Sequence, residues 1–190
     1  MMHRLLAAAL FVSVCSPALS QDTPKRPDTA VLNFFIGKWT GEGAFANGNK
    51  IAADLTFTLS LDSCWLVYEH RDRAPGKYKA TSMWGVDAQS GEFLSYCFDN
   101  FQGHRIFEIT GQCEGYGRGG TKDDVPTKFW WRNGKLILFH HAFLRGVGLY
   151  FEHFIYQRTG ERTFKMTYET SRDGVSWQMG DWLEFSKVQG

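Results

Sequence analysis

The chain has little of what usually staples, charges or anchors a protein. It holds four cysteines and five prolines in 190 residues, and 21 basic residues stand against 20 acidic ones. A general polyanion binder carries a basic excess, so nucleic acid is not the expected partner. No apolar run approaches the ~20 residues that a membrane-spanning helix needs. No cysteine pair has C-x-x-C or comparable spacing, so the sequence calls for no metal or other cofactor. Long amphipathic helical patterns, internal repeats and signs of a second domain are missing as well.

The first twenty residues read as a secretory signal. Arg4 is the basic start, Leu5 to Val14 is apolar apart from Ser13, and Pro17 breaks the segment ahead of Ala18-Leu19-Ser20, a small-x-small cleavage site. Val14 precedes Cys15 where lipoprotein processing requires a small residue. The expectation is therefore cleavage after Ser20 and a periplasmic or secreted protein without a membrane span. The mature 170 residues carry 20 basic and 20 acidic side chains and suit one all-β domain. A chain of that size buries roughly 70% of its unfolded surface and needs no staples to fold. Three cysteines remain, Cys64, Cys97 and Cys113. The odd number leaves at least one thiol unpaired within the chain, and the expectation is one optional disulfide plus one buried thiol, with the pairing open.

Residues 21–30 contain two prolines and no large apolar side chain, and read as a mobile leader. A short helical turn over Ala30 to Phe35 is expected to plug one end of a barrel built from the later segments. Ile51, Ala53, Leu55, Phe57, Leu59 and Leu61 alternate with polar or small residues, the period of a half-buried strand, and Phe164, Met166 and Tyr168 alternate in the same way. Asn47-Gly48, Pro75-Gly76, Ser90-Gly91, Asn133-Gly134, Thr159-Gly160 and Asp173-Gly174 punctuate the chain at hairpin spacing. The pattern predicts an all-β fold: a single antiparallel up-and-down β-barrel of about eight to ten strands over residues 31–190, wide enough to hold one small ligand. Gly111 to Pro126 is glycine-rich without alternation. A phosphate-cradling loop needs a strand before it and a helix after it, and here Phe129-Trp130-Trp131 comes next instead, so the segment reads as a loop at the barrel mouth.

Phe35-Ile36-Gly37-Lys38-Trp39-Thr40-Gly41-Glu42-Gly43, Leu61-Asp62-Ser63-Cys64-Trp65-Leu66-Val67, Trp84-Gly85-Val86-Asp87, Asp99-Asn100 and Ser171-Arg172-Asp173-Gly174-Val175-Ser176-Trp177 occur in that order along nearly all of the mature chain. Together they resemble a bacterial domain-of-unknown-function family of secreted calycin-like barrels. The resemblance implies a lipocalin-like barrel and no established activity. Gly37-Lys38-Trp39 also resembles the glycine-x-tryptophan element of lipocalins, whose indole closes the barrel floor under a basic residue of the last strand. Lys187 is the candidate for that role, where arginine is usual. The opening is similar, too, to that of haem-binding nitrobindin-type barrels, which carry an iron-ligating histidine near the C-terminus. No histidine lies beyond His153 here, so the haem function does not transfer.

Thirty of the 190 residues are Phe, Trp or Tyr. Most of them must pack a core, and the remainder can line an apolar cavity tipped with a few polar groups. The candidate ligand-binding residues are His104, Glu108, Trp130, His140, Phe151 and His153. His104 and Glu108 share strand parity, as an acid–base pair in a cavity requires, although a half-buried strand normally turns such a face to solvent. His140 and His141 are adjacent and so point to opposite faces. His153 shares a face with Leu149, Phe151 and Ile155, taken as the inner one. The leading reading is an exported barrel that binds a small apolar or amphipathic molecule. The alternatives are an enzyme using a His/Glu pair in the cavity and, behind it, a haem- or metal-binding barrel.

Overall fold

Strict alternation leaves the backbone hydrogen bonds of each segment to be met by its neighbours, and β-branched and aromatic side chains favour the extended form that does so. In the computed structural model, which describes residues 29–86, 93–107, 134–144 and 148–189, these segments form one antiparallel sheet behind a single short helix. Helix α1 (Thr29–Phe35) begins inside the segment read as leader and leads into β1 (Gly37–Phe45), β2 (Lys50–Ser60), β3 (Trp65–Asp72), β4 (Lys79–Val86) and β5 (Phe93–Asp99). β6 (His104–Phe107), β7 (Lys135–Leu144), β8 (Gly148–Arg158), β9 (Thr163–Ser171) and β10 (Trp177–Lys187) complete it. Glu108, Cys113, Trp130 and the rest of the glycine-rich segment lie outside the described residues, as does the N-terminal signal.

Consecutive strands pair from β1 to β6 and from β7 to β10, and β10 returns to β1, in the order β6-β5-β4-β3-β2-β1-β10-β9-β8-β7. The result is a nearly closed up-and-down barrel of ten strands, at the upper end of the expected count. Among the described residues no ladder joins β6 to β7. That seam is bridged by side chains: His140 Nδ1 donates to the Ile106 carbonyl at 2.9 Å, and Arg105 on β6 reaches Glu152 on β8.

One end of the barrel is filled. Val31, Phe34 and Phe35 of α1 are buried in a cluster with Trp39, Phe57, Trp84, Tyr156, Phe164 and Phe185. The Phe35 ring lies 4.9 Å from Phe57 and 5.6 Å, edge-on, from Trp84. The helix is locked at its C-terminal end by two donors. Trp39 Nε1 donates to the Phe35 carbonyl at 2.7 Å, and Lys187 Nζ donates to the Phe34 carbonyl at 2.9 Å while sitting 5.2 Å over the Trp39 ring. Those carbonyls are the orphan acceptors of a helix end, and a cation is the favourable partner for them. Lys187 thus takes the place proposed for it over the floor tryptophan. Gly41 is required opposite Phe185 on the sheet, because a Cβ there would collide with the Phe185 ring.

Phe35→Ala removes the side chain around which this plug is arranged. We expect a loss of about 3–5 kcal/mol in stability, measured as a lowered urea midpoint with an unchanged slope. An effect below about 1 kcal/mol would mean that the plug is peripheral to the core.

Candidate ligand cavity

β1 runs from the plugged end toward the other mouth, so the mouth is built from the ends of β1, β3, β5, β7 and β9 and the starts of β2, β4, β6, β8 and β10. Here the barrel is not filled by its own side chains. A cavity of about 410 Å³ opens above the plug, with Trp84, Tyr68 and Tyr156 toward its floor, Leu138 and Phe154 in its wall, and Phe45, Tyr78 and Phe101 at its rim. The Tyr78 and Phe101 rings stack at 6.2 Å.

Three polar groups on alternate residues of β3 form a chain along the inner wall. The Tyr68 hydroxyl lies 2.9 Å from His70 Nδ1, and His70 Nε2 lies 3.0 Å from Asp72 Oδ1. An ionised carboxylate can only accept, so Nε2 is the donor to Asp72, and in the neutral imidazole Nδ1 then accepts from Tyr68. Asp72 Oδ2 accepts the Tyr78 backbone N–H at 3.2 Å. Both ring nitrogens of His70 and both oxygens of Asp72 are therefore engaged.

A second network fixes Arg105, which also lines the cavity. Its Nη1 donates to Asp99 Oδ2 at 2.8 Å and its Nε to Glu152 Oε2 at 2.9 Å, while Tyr168 Oη donates to Glu152 Oε1 at 2.6 Å. Two buried carboxylates thus hold one guanidinium, an arrangement that keeps it charged. Cys97, also in the lining, is a free thiol that burial pushes up to about 11, against the pull of Arg105. Cys64 is free as well, so no Cys64–Cys97 disulfide forms.

Asp181 differs from the other acids. It faces the cavity from β10, and its Oδ1 is buried with no hydrogen-bond partner. Burial pushes its carboxyl up to about 6, with His70 opposing and Asp72 adding to the shift. A β-bulge puts it there. The β9–β10 register jumps between Met179 and Asp181, so Gly180 is extra and the residues on either side swap faces. Gly180 also lets the Tyr168 ring approach, since a Cβ would lie 2.7 Å from it.

The residues singled out from the sequence fall elsewhere. His104 and Ile106 face solvent, as a polar outer face predicts, and Arg105 and Phe107 point inward instead. His140 is at the β6–β7 seam, against Phe107. On β8 the inner residues are Glu152, Phe154 and Tyr156, so the expected inward orientation of Phe151 and His153 is corrected to outward. His153 stacks on Trp177 with ring centroids 3.4 Å apart. Burial lowers its pKa to about 4, so at neutral pH it is uncharged beside Glu169, 3.9 Å away. His140 and His153 lie on opposite faces and cannot share a ligand, and no group of metal-ligating side chains occurs among the described residues. Residues 151–153 are all buried, because the turn leading to Trp177 covers the outside of β8, with Gly174 against the Phe151 ring. Polarity therefore could not reveal which face was inner. His70, Asp72 and Asp181 were missed. For the first two a signal existed, since polar residues occupy the same register as the buried Leu66 and Tyr68.

Fold and site together define a ten-stranded up-and-down barrel, plugged at one end and open to a mixed aromatic and acidic cavity at the other. No family model matches the chain, and no curated protein matches it. Among solved structures it is similar to a de novo designed fluorescence-activating β-barrel at 7% identity and a TM-score of 0.40, over 84% of this chain and 97% of that one. A redesigned β-barrel is similar at 12% identity and a TM-score of 0.30, over 84% of this chain and 95% of the other. The architecture rests on the strand order itself.

The raised pKa of Asp181 is a stability statement. Between the unfolded carboxyl value near 4 and the folded value of about 6 the native state binds the extra proton, so stability falls as pH rises through that window. Asp181→Asn should raise stability at pH 7.5 by about 1–3 kcal/mol, with the gain vanishing below pH 4. Urea titrations at pH 3.5, 5.5 and 7.5 check it, and a pH-independent difference would contradict it.

Proposed function

We propose that the protein is an exported β-barrel that binds one small amphipathic molecule inside its open end. The observation that carries this reading is the cavity of about 410 Å³, walled by aromatic and aliphatic side chains with polar groups confined to a few positions. That volume lies within the roughly 300–1,000 Å³ typical of small-molecule sites, and an apolar wall with sparse polar tips is equally typical of them. Export is supported by the basic, apolar and small-residue layout of residues 1–20. The ordered motifs from Phe35 to Trp177 support membership of the secreted calycin-like family that they resemble.

One observation favours an acid–base enzyme as a second reading, the hydrogen-bonded chain Tyr68–His70–Asp72 within the cavity. A general base must present a free nitrogen to the proton it removes, and both His70 nitrogens are occupied. The chain is better suited to holding the wall rigid and dry than to accepting a substrate proton, and binding is the stronger reading.

A neutral hydrophobic dye, N-phenyl-1-naphthylamine, should bind saturably with one-to-one stoichiometry. Ala80→Phe, which places a ring in the cavity, should weaken that binding by at least about tenfold while leaving the far-UV circular dichroism unchanged. Native mass spectrometry of freshly purified protein should show a co-purifying small molecule. Non-saturable dye binding that ignores Ala80→Phe would overturn the reading.

A further inference from the structure

We propose that the cavity selects a protonated amine, its ammonium group seated against Asp181 and its apolar body on the aromatic floor. The proposal rests on the small-molecule reading and names the chemical class of the ligand.

Charge is the first consideration. Five charged or titratable groups besides the tyrosines and Cys97 line the cavity: His70, Asp72, Lys77, Arg105 and Asp181. Arg105 would be the obvious seat for a carboxylate ligand, but Asp99 and Glu152 already bracket it at 2.8 and 2.9 Å. Those three side chains sum to one negative charge. Lys77 sits exposed in the loop before β4, where water screens it. Even if the His70 imidazole beside Asp72 is counted as a cation, Asp181 leaves the interior negative, which disfavours an anion and attracts a cation.

Hydrogen-bond capacity is the second, and it is independent of the charge count. Asp181 Oδ1 is buried, faces the cavity and has no hydrogen-bond partner. The nearby donors are spoken for. His70 Nε2–H is given to Asp72, the Tyr78 N–H is given to Asp72, and Tyr168 Oη–H is given to Glu152. A buried acceptor without a donor is costly and is uncommon in folded proteins. The bulge at Gly180 exists at the one place where it turns this carboxylate inward, and bulges commonly re-aim a side chain beside a site. An ammonium supplies both things the position lacks, a positive charge and N–H donors.

The rest of the cavity fits the remainder of such a molecule. Phe45, Tyr78 and Phe101 surround the mouth with ring faces and edges, and the faces favour a passing cation. Trp84, Tyr156 and Leu138 below accept an aromatic or alkyl body. An amine with one aromatic ring system meets both halves.

Isothermal titration at pH 7.5 with 2-(1-naphthyl)ethylamine, the matching alcohol and 1-naphthylacetate separates headgroup from body. The amine should bind at least about tenfold tighter than the alcohol, and the carboxylate should be weakest. Asp181→Asn should bring amine and alcohol to within about threefold of each other, chiefly through loss of amine affinity. The wild-type ranking stands without the variant, so a folding failure of Asp181→Asn does not remove the test. Equal binding of all three, or a preference for the carboxylate, overturns the amine assignment and leaves the small-molecule reading in place. Failure of all three together with the neutral dye overturns both.

Discussion

A ten-stranded barrel is too wide for side chains alone to fill from end to end, and the helix Thr29–Phe35 answers that constraint at one end only. Phe34 and Phe35 enter the barrel with Trp39, and Lys187 ties the last strand to the Phe34 carbonyl at the helix end. The plug reaches as far as Trp84 and Tyr156, which form its upper surface and the cavity's lower one. Without it the barrel would have no floor. With it, the unfilled length toward the mouth becomes a pocket of defined size.

The two ends follow different rules. At the plugged end nearly everything is apolar, and the polar groups present are capped by specific donors. At the open end the inner wall alternates in sequence as a core strand would, yet carries Tyr68, His70 and Asp72 on β3 and Arg105 on β6. The first three are hydrogen-bonded in a chain and Arg105 is held by Asp99 and Glu152, which stiffens the wall and excludes most of them from contact chemistry. Asp181 stands outside that mutual satisfaction, held inward by a backbone irregularity. A local departure from the regular ladder at a half-buried acid whose inner oxygen has no hydrogen-bond partner is the kind of inconsistency that marks a working position.

Much of the container was legible. The alternation from Ile51 to Phe57 and from Phe164 to Tyr168 and the glycine-bearing turns at Gly48 and Gly174 all read correctly, because period-two burial and positive φ leave local traces. The turn after β2 left none: Leu61, Asp62 and Ser63 adopt positive φ in succession without a glycine. The site was much less legible. The candidate histidines His104 and His153 face outward, whereas His70, which lines the cavity, was not among the candidates. β8 is apolar on both sides, so its parity gave no sign that Glu152 and Tyr156 are its inner residues.

The residues by themselves determined a charge-balanced, aromatic-rich chain of antiparallel strands, since composition, alternation and turn chemistry are local properties. Tertiary structure decided which face of each strand is inner, that the sheet has ten strands and nearly closes, and that Asp181 shares a cavity with His70 and Asp72. The reason is that Asp72 and Asp181 are brought together only by closure of the sheet through β1 and β10. Whether residue 181 points in or out depends on a single extra residue, Gly180, whose effect on register exists only once β9 lies beside it.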